Sequence, residues 1–109
     1  MDINQEIANE LNLNAKNVET AIQLMDEGST VPFIARYRKE VTGGLTDENL
    51  RDIETKLTYL RGLEDRKKTV FASLKEQNIE DPELISKIEQ ARTLAQVEDY
   101  YRPYKPKKL

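Results

Sequence analysis

Four consecutive residues, Arg36-Tyr37-Arg38-Lys39, place three cations around one aromatic ring. Guanidinium and ammonium groups neutralise phosphates and an aromatic face accepts a stacked base, so this combination suits a nucleic-acid strand. The same ingredients return near the end of the sequence, where Arg102-Pro103-Tyr104-Lys105-Pro106-Lys107-Lys108 sets cations and a tyrosine on a chain stiffened by prolines. The candidate phosphate contacts are therefore Arg36, Arg38, Lys39, Lys105, Lys107 and Lys108. Each stretch also has a plainer reading. Tyr37 could pack inward while its neighbours pair with acids, and the terminal run could be a linker.

Any such contact has to be local. The chain carries 17 Lys and Arg against 20 Asp and Glu, a net charge of -3, so the whole molecule does not attract a polyanion. The distribution is uneven. Residues 1–30 hold six acids against the single base Lys16, residues 31–44 hold three cations against Glu40, and the last eight residues hold four cations and no acid.

Other chemistries find little support. With no Cys and no His, disulfides, thiolate nucleophiles, imidazole bases and ordinary zinc sites are all excluded. The carboxylates follow no EF-hand spacing, and most stand at helix caps or four residues from a Lys or Arg. Gly43-Gly44 is followed by no Gly-Lys-Ser/Thr, so it reads as a connection between helices rather than a phosphate loop. Ser29, Ser73 and Ser86 lack a histidine to activate them. The expectation is a non-enzyme with no catalytic residue, metal or cofactor. No apolar run approaches the roughly 20 residues that span a bilayer, and the N-terminus is acidic, so a cytoplasmic protein without membrane contact is expected.

The elements that must position the cations are helices. Ile3, Ile7, Ala8 and Leu11 recur at helical spacing behind a capping box of Asp2 and Gln5, which predicts a helix over about 3–11. Asn14 caps a second stripe, Ala15, Val18, Ala21, Ile22 and Met25, and Gly28 ends it. The short link between the two stripes predicts a helical hairpin. Pro32 suits the first turn of a short helix that would turn Phe33, Ile34 and Tyr37 to the core, and Gly43-Gly44 closes it off. Thr46 then caps a long helix, with Leu45 stapled to Leu50 and an apolar rhythm of Leu50, Ile53, Leu57, Leu60, Leu63, Val70, Phe71 and Leu74.

Asp47–Arg51, Asp52–Lys56 and Glu64–Lys68 would support the outer face of that helix, whose apolar rhythm is interrupted by the charged stretch 64–68. At roughly 1.5 Å per residue it would be about 46 Å long against a radius of gyration near 13 Å, so it should bend, with Gly62 the natural place, or project. Asp81-Pro82 starts another helix through Leu84, Ile85, Ile88 and Ala91, and Thr93 with Gln96 opens a last one that Pro103 and Pro106 stop. No strand pattern occurs. The expected fold is all-α, a bundle of about five to six helices with an N-terminal helical hairpin and one long helix over about 46–77.

The segments VPFIARYRKEVTGGL at 31–45, LRDIETKLTYLRGLEDRK at 50–67 and EDYYRPYKPKKL at 98–109 together resemble the N-terminal region of Tex-like proteins, bacterial transcription accessory proteins related to a eukaryotic elongation factor. The resemblance covers nearly the whole chain. It implies a domain over 1–101, a basic linker beginning at 102–109, and a longer parent continuing with an RNase H-like domain, helix-hairpin-helix elements and a C-terminal OB-fold that binds RNA. Implied partners are RNA or DNA through that parent, its downstream domains, and the transcription machinery. One position departs from the family's pattern. Arg102 stands where an apolar residue precedes Pro103, which makes that joint more exposed or more basic. The function expected is a helical module supporting transcription or RNA metabolism. Its rival is a purely structural or protein-interaction module.

Overall fold

The computed structural model describes residues 2–106, which form six α-helices, a terminal 3-10 turn and no strand. The order is α1 (Ile3–Leu11), α2 (Ala15–Asp26), α3 (Val31–Tyr37), α4 (Asp47–Glu76), α5 (Pro82–Gln90), α6 (Leu94–Tyr101) and the turn Arg102–Tyr104. This is the all-α fold that the apolar stripes predict. The residues divide into two compact units, 2–60 and 61–106, and α4 contributes to both.

In the first unit, α1 and α2 pack against each other as the expected hairpin. The Asp2 carboxylate accepts the Gln5 amide N–H, and Asn14 accepts those of Lys16 and Asn17, so both helices begin on side-chain caps. The Gln5 side chain does not reach back as a capping box requires. Its Nε2 donates to Asn9 instead, at 2.9 Å. Gly28 ends α2 at a φ of 100°, and the Ser29 amide closes onto the Leu24 carbonyl. Ile7, Val18, Ala21, Ile34, Leu50 and Ile53 are buried in this unit's core.

The connection from α3 to α4 is tightly folded. The Thr42 amide bonds the Arg38 carbonyl, the Gly44 amide bonds the Lys39 carbonyl, and Thr42 is fully buried. Gly43, at a φ of 71°, lies so close to α2 that a Cβ there would meet the Asn17 side chain at 2.3 Å. A larger residue would have to displace the Asn17 side chain and adopt a strained left-handed φ.

α4 opens on a reciprocal cap. Thr46 Oγ1 accepts the Asn49 N–H and Asn49 Oδ1 accepts the Thr46 N–H, each at 3.1 Å, while Leu45 and Leu50 are buried beside it. The helix continues through Gly62 without interruption for 30 residues, so that glycine is no break. Lys56 does not serve the outer face with Asp52 as its spacing suggests, but reaches Glu10 of α1 at 2.6 Å.

In the second unit, α4 presents Leu63, Val70 and Leu74, α5 presents Leu84 and Ile88, and α6 presents Val97 and Tyr101, all buried. The charged stretch 64–68 is not wholly outward. Lys67 falls four residues after Leu63 and three before Val70, so it joins their inward stripe and is only 3% exposed. Its ammonium donates to the Glu89 carbonyl at 2.8 Å, near the end of α5, and stands 3.5 Å from Glu64. Caps predicted at Asp81 and Thr93 accept the amides of Leu84 and Gln96. The Gln96 side chain reaches back one residue further than a capping box would, to the Arg92 amide at 2.7 Å.

Candidate functional site

α3 determines the site because it is too short to bury more than one narrow face. Val31 and Ile34, three apart, take that face. Phe33 and Tyr37, four apart, are thereby left on another side, 37% and 60% exposed. Of the three residues predicted to face the core, only Ile34 does so.

The two exposed rings pack on each other with centroids 5.2 Å apart and planes tilted by 49°. The Arg38 guanidinium lies over the Phe33 ring, 5.0 Å from its centroid, and donates to the Tyr37 carbonyl at 3.1 Å. Arg38, Phe33 and Tyr37 thus form one braced stack. The side chains of Arg36 and Lys39 are exposed and form no hydrogen bond or ion pair among the described residues. They line an open groove of about 820 Å³ together with Pro32, Phe33, Tyr37, Thr46 and Asp47. The reading in which Tyr37 packs inward and the cations pair with neighbouring acids is not the arrangement found.

The second basic stretch is organised differently. Lys105 sits 3.3 Å from Glu98, Arg102 pairs with Asp99 at 3.0 Å, and the Tyr104 carbonyl accepts from Gln77 at 2.9 Å. Glu98 also receives a two-point hydrogen bond from Arg66, whose guanidinium lies over Tyr101. That bond is the main reason the Glu98 carboxyl is held below the usual carboxylate range; partial burial opposes it and Lys105 assists. The same bond raises Arg66. Arg102 is well exposed, so the position where the family pattern has an apolar residue faces solvent here. Lys107 and Lys108 lie outside the described residues.

The structure therefore brings Arg36 and Lys39 to one groove, turns Arg38 onto the Phe33 ring and engages Lys105 with Glu98. A cleft of about 580 Å³ in the second unit, beside Phe71, Ile79 and Ile85, offers an anion only Lys75 and surrounds it with Glu80, Asp81 and Glu89. No helix among the described residues is long and apolar enough to cross a membrane.

Residues 1–75, more than half of the chain, match the family described as the Tex-like protein N-terminal domain. The chain belongs to that family. Its relatives include the transcriptional accessory protein Tex of Neisseria gonorrhoeae, 47% identical over 108 residues, 99% of this chain and 14% of that protein. Protein YhgF of Escherichia coli is 48% identical over 102 residues, 94% of this chain and 13% of its own length. A human S1 RNA-binding domain-containing protein 1 is 26% identical over 104 residues, 95% of this chain and 10% of that protein. The chain thus spans about one seventh of the first two relatives. In this Tex-like N-terminal domain, the segment 31–45 that carries the resemblance is the one that builds the α3 stack and its groove.

Proposed function

We propose that this Tex-like domain is the helical module of a nucleic-acid-binding transcription accessory protein and adds phosphate contacts of its own through Arg36 and Lys39. It does so without catalytic chemistry. The observation carrying the reading is that these two side chains stand exposed on one groove with no ion-pair partner among the described residues, in a chain whose net charge is -3. An ammonium or guanidinium with no carboxylate partner retains its full attraction for phosphate, and a local patch of this kind works despite an acidic whole. Its setting is the cytoplasm, beside RNA or DNA, the rest of a longer chain and the transcription machinery. The names of the Neisseria and human relatives support the link to transcription and to RNA.

Titrating the 109-residue chain with single-stranded RNA and duplex DNA across a salt series tests this. Two phosphates neutralised on a single strand give a slope of about -1.4 in log K against log salt. Arg36→Glu with Lys39→Glu should weaken binding at least about tenfold and leave helicity by circular dichroism unchanged, since both side chains are exposed. No binding at low salt would remove the phosphate role and leave the α3 face to a protein partner.

A further inference from the structure

The geometry points to the Tyr37 ring as a seat for an unpaired nucleobase, which makes the α3 groove a site for single-stranded nucleic acid rather than for duplex. This rests on the reading of Arg36 and Lys39 as phosphate contacts and goes further, because charge alone does not distinguish one strand from two.

Tyr37 is 60% exposed although it is a large aromatic, and it sits between Arg36 and Lys39 in sequence and beside both in the groove. Its ring is supported from behind by Phe33 at 5.2 Å, and Phe33 is in turn covered by the Arg38 guanidinium at 5.0 Å. A ring held in this way loses little freedom when a flat ligand settles on it, so most of the stacking energy is realised as affinity. Every base has a π-face, and stacking on an aromatic is worth enough per base to dominate weak single-strand binding. In a duplex both faces of each base are already covered by neighbouring bases, so the ring has nothing to stack on. The chain's charge selects the occupant. An uncharged aromatic or apolar partner would use Phe33 and Tyr37 but leave Arg36 and Lys39 unanswered, whereas a strand places phosphates beside the stacked base.

The measurement is fluorescence anisotropy at low salt with three probes: a short single strand, the same strand carrying abasic sites, and the matching duplex. Tyr37→Ala should lose roughly 5- to 150-fold in affinity for the intact single strand, and Tyr37→Phe should restore it to within about twofold. The abasic strand should bind wild type no better than the intact strand binds Tyr37→Ala. Duplex affinity should be the same for wild type and Tyr37→Ala. The base seat is overturned if Tyr37→Ala binds the intact strand like wild type, or if the abasic strand binds as tightly as the intact one. Should Arg36→Glu with Lys39→Glu still weaken binding in that case, the phosphate reading stands without the seat. If the wild-type chain binds no probe, both fall. Circular dichroism on each variant secures the comparison, and the abasic strand tests the seat with no substitution at all.

Discussion

Lys67 shows how one side chain can invert the expectation its sequence neighbours create. It stands inside Glu64-Asp65-Arg66-Lys67-Lys68, a run that reads as solvated surface, yet helical geometry places it on the stripe of Leu63, Val70 and Leu74. A buried ammonium is tolerated only where it is answered, and here the Glu89 carbonyl takes a hydrogen bond while the Glu64 carboxylate balances the charge from 3.5 Å, its Oε1 buried without a hydrogen bond of its own. Glu89 is the penultimate residue of α5, where carbonyls have no partner within the helix, so the lysine also completes that helix end. Lys67→Met keeps most of the buried stem but removes the donor. It should destabilise the second unit by about 1–3 kcal/mol in chemical denaturation, because it leaves the part-buried Glu89 carbonyl without its donor and the buried Glu64 oxygen without its counter-charge. Lys67→Ala should cost more, because it also leaves a void. A methionine variant as stable as wild type would mean that the ammonium contributes nothing beyond its stem.

At the scale of the element, the helix starts are the most secure part of the fold. Thr46 illustrates why: its hydroxyl takes the Asn49 amide and the Asn49 side chain takes the Thr46 amide, so two donors that the helix leaves open are closed locally. Thr46→Ala should lower stability by about 0.5–2 kcal/mol, with Thr46→Ser close to wild type in thermal melts. Because capping depends on residues three apart, the starts at Asp2, Asn14, Thr46, Asp81 and Thr93 were all legible in the sequence. Two helix ends were less so. Asn12 and Asn78 adopt left-handed φ of 56° and 58° where a glycine would have been the plainer signal. Orientation was the hardest to read. Phe33-Ile34 offers two adjacent apolar residues to a helix of seven, and only the rest of the unit decides that Ile34 goes in and Phe33 out. The cations of the candidate site could be read from their types, but not that Arg38 would lie over Phe33 and that Lys105 would be held by Glu98, since both depend on how the side chains lie in the folded chain.

At the scale of the whole molecule, 20 acids and 17 bases leave charge nearly balanced near neutrality, so acid changes both the sum and the particular pairs. The pair that responds most distinctly is Glu98 with Arg66. Glu98 is held below its ordinary range first by the hydrogen bond from Arg66, with desolvation opposing and Lys105 adding to it. A carboxyl lowered in the folded state contributes stability that is fully present above the unfolded carboxylate range and is lost as pH falls through its folded value. The chain holds 20 carboxylate side chains, so the total loss does not identify Glu98. The difference between wild type and Glu98→Gln does. Thermal midpoints measured from about pH 6 down to about pH 3 should show the variant less stable at the upper end, where Arg66 has lost its charged partner, with the two curves converging as acid protonates the wild-type carboxyl. The convergence should be sharper at low ionic strength, because both side chains are about one-third exposed and salt screens them. Curves that stay parallel across this window would show that the Arg66 to Glu98 contact holds the second unit by its shape alone and not by its charge.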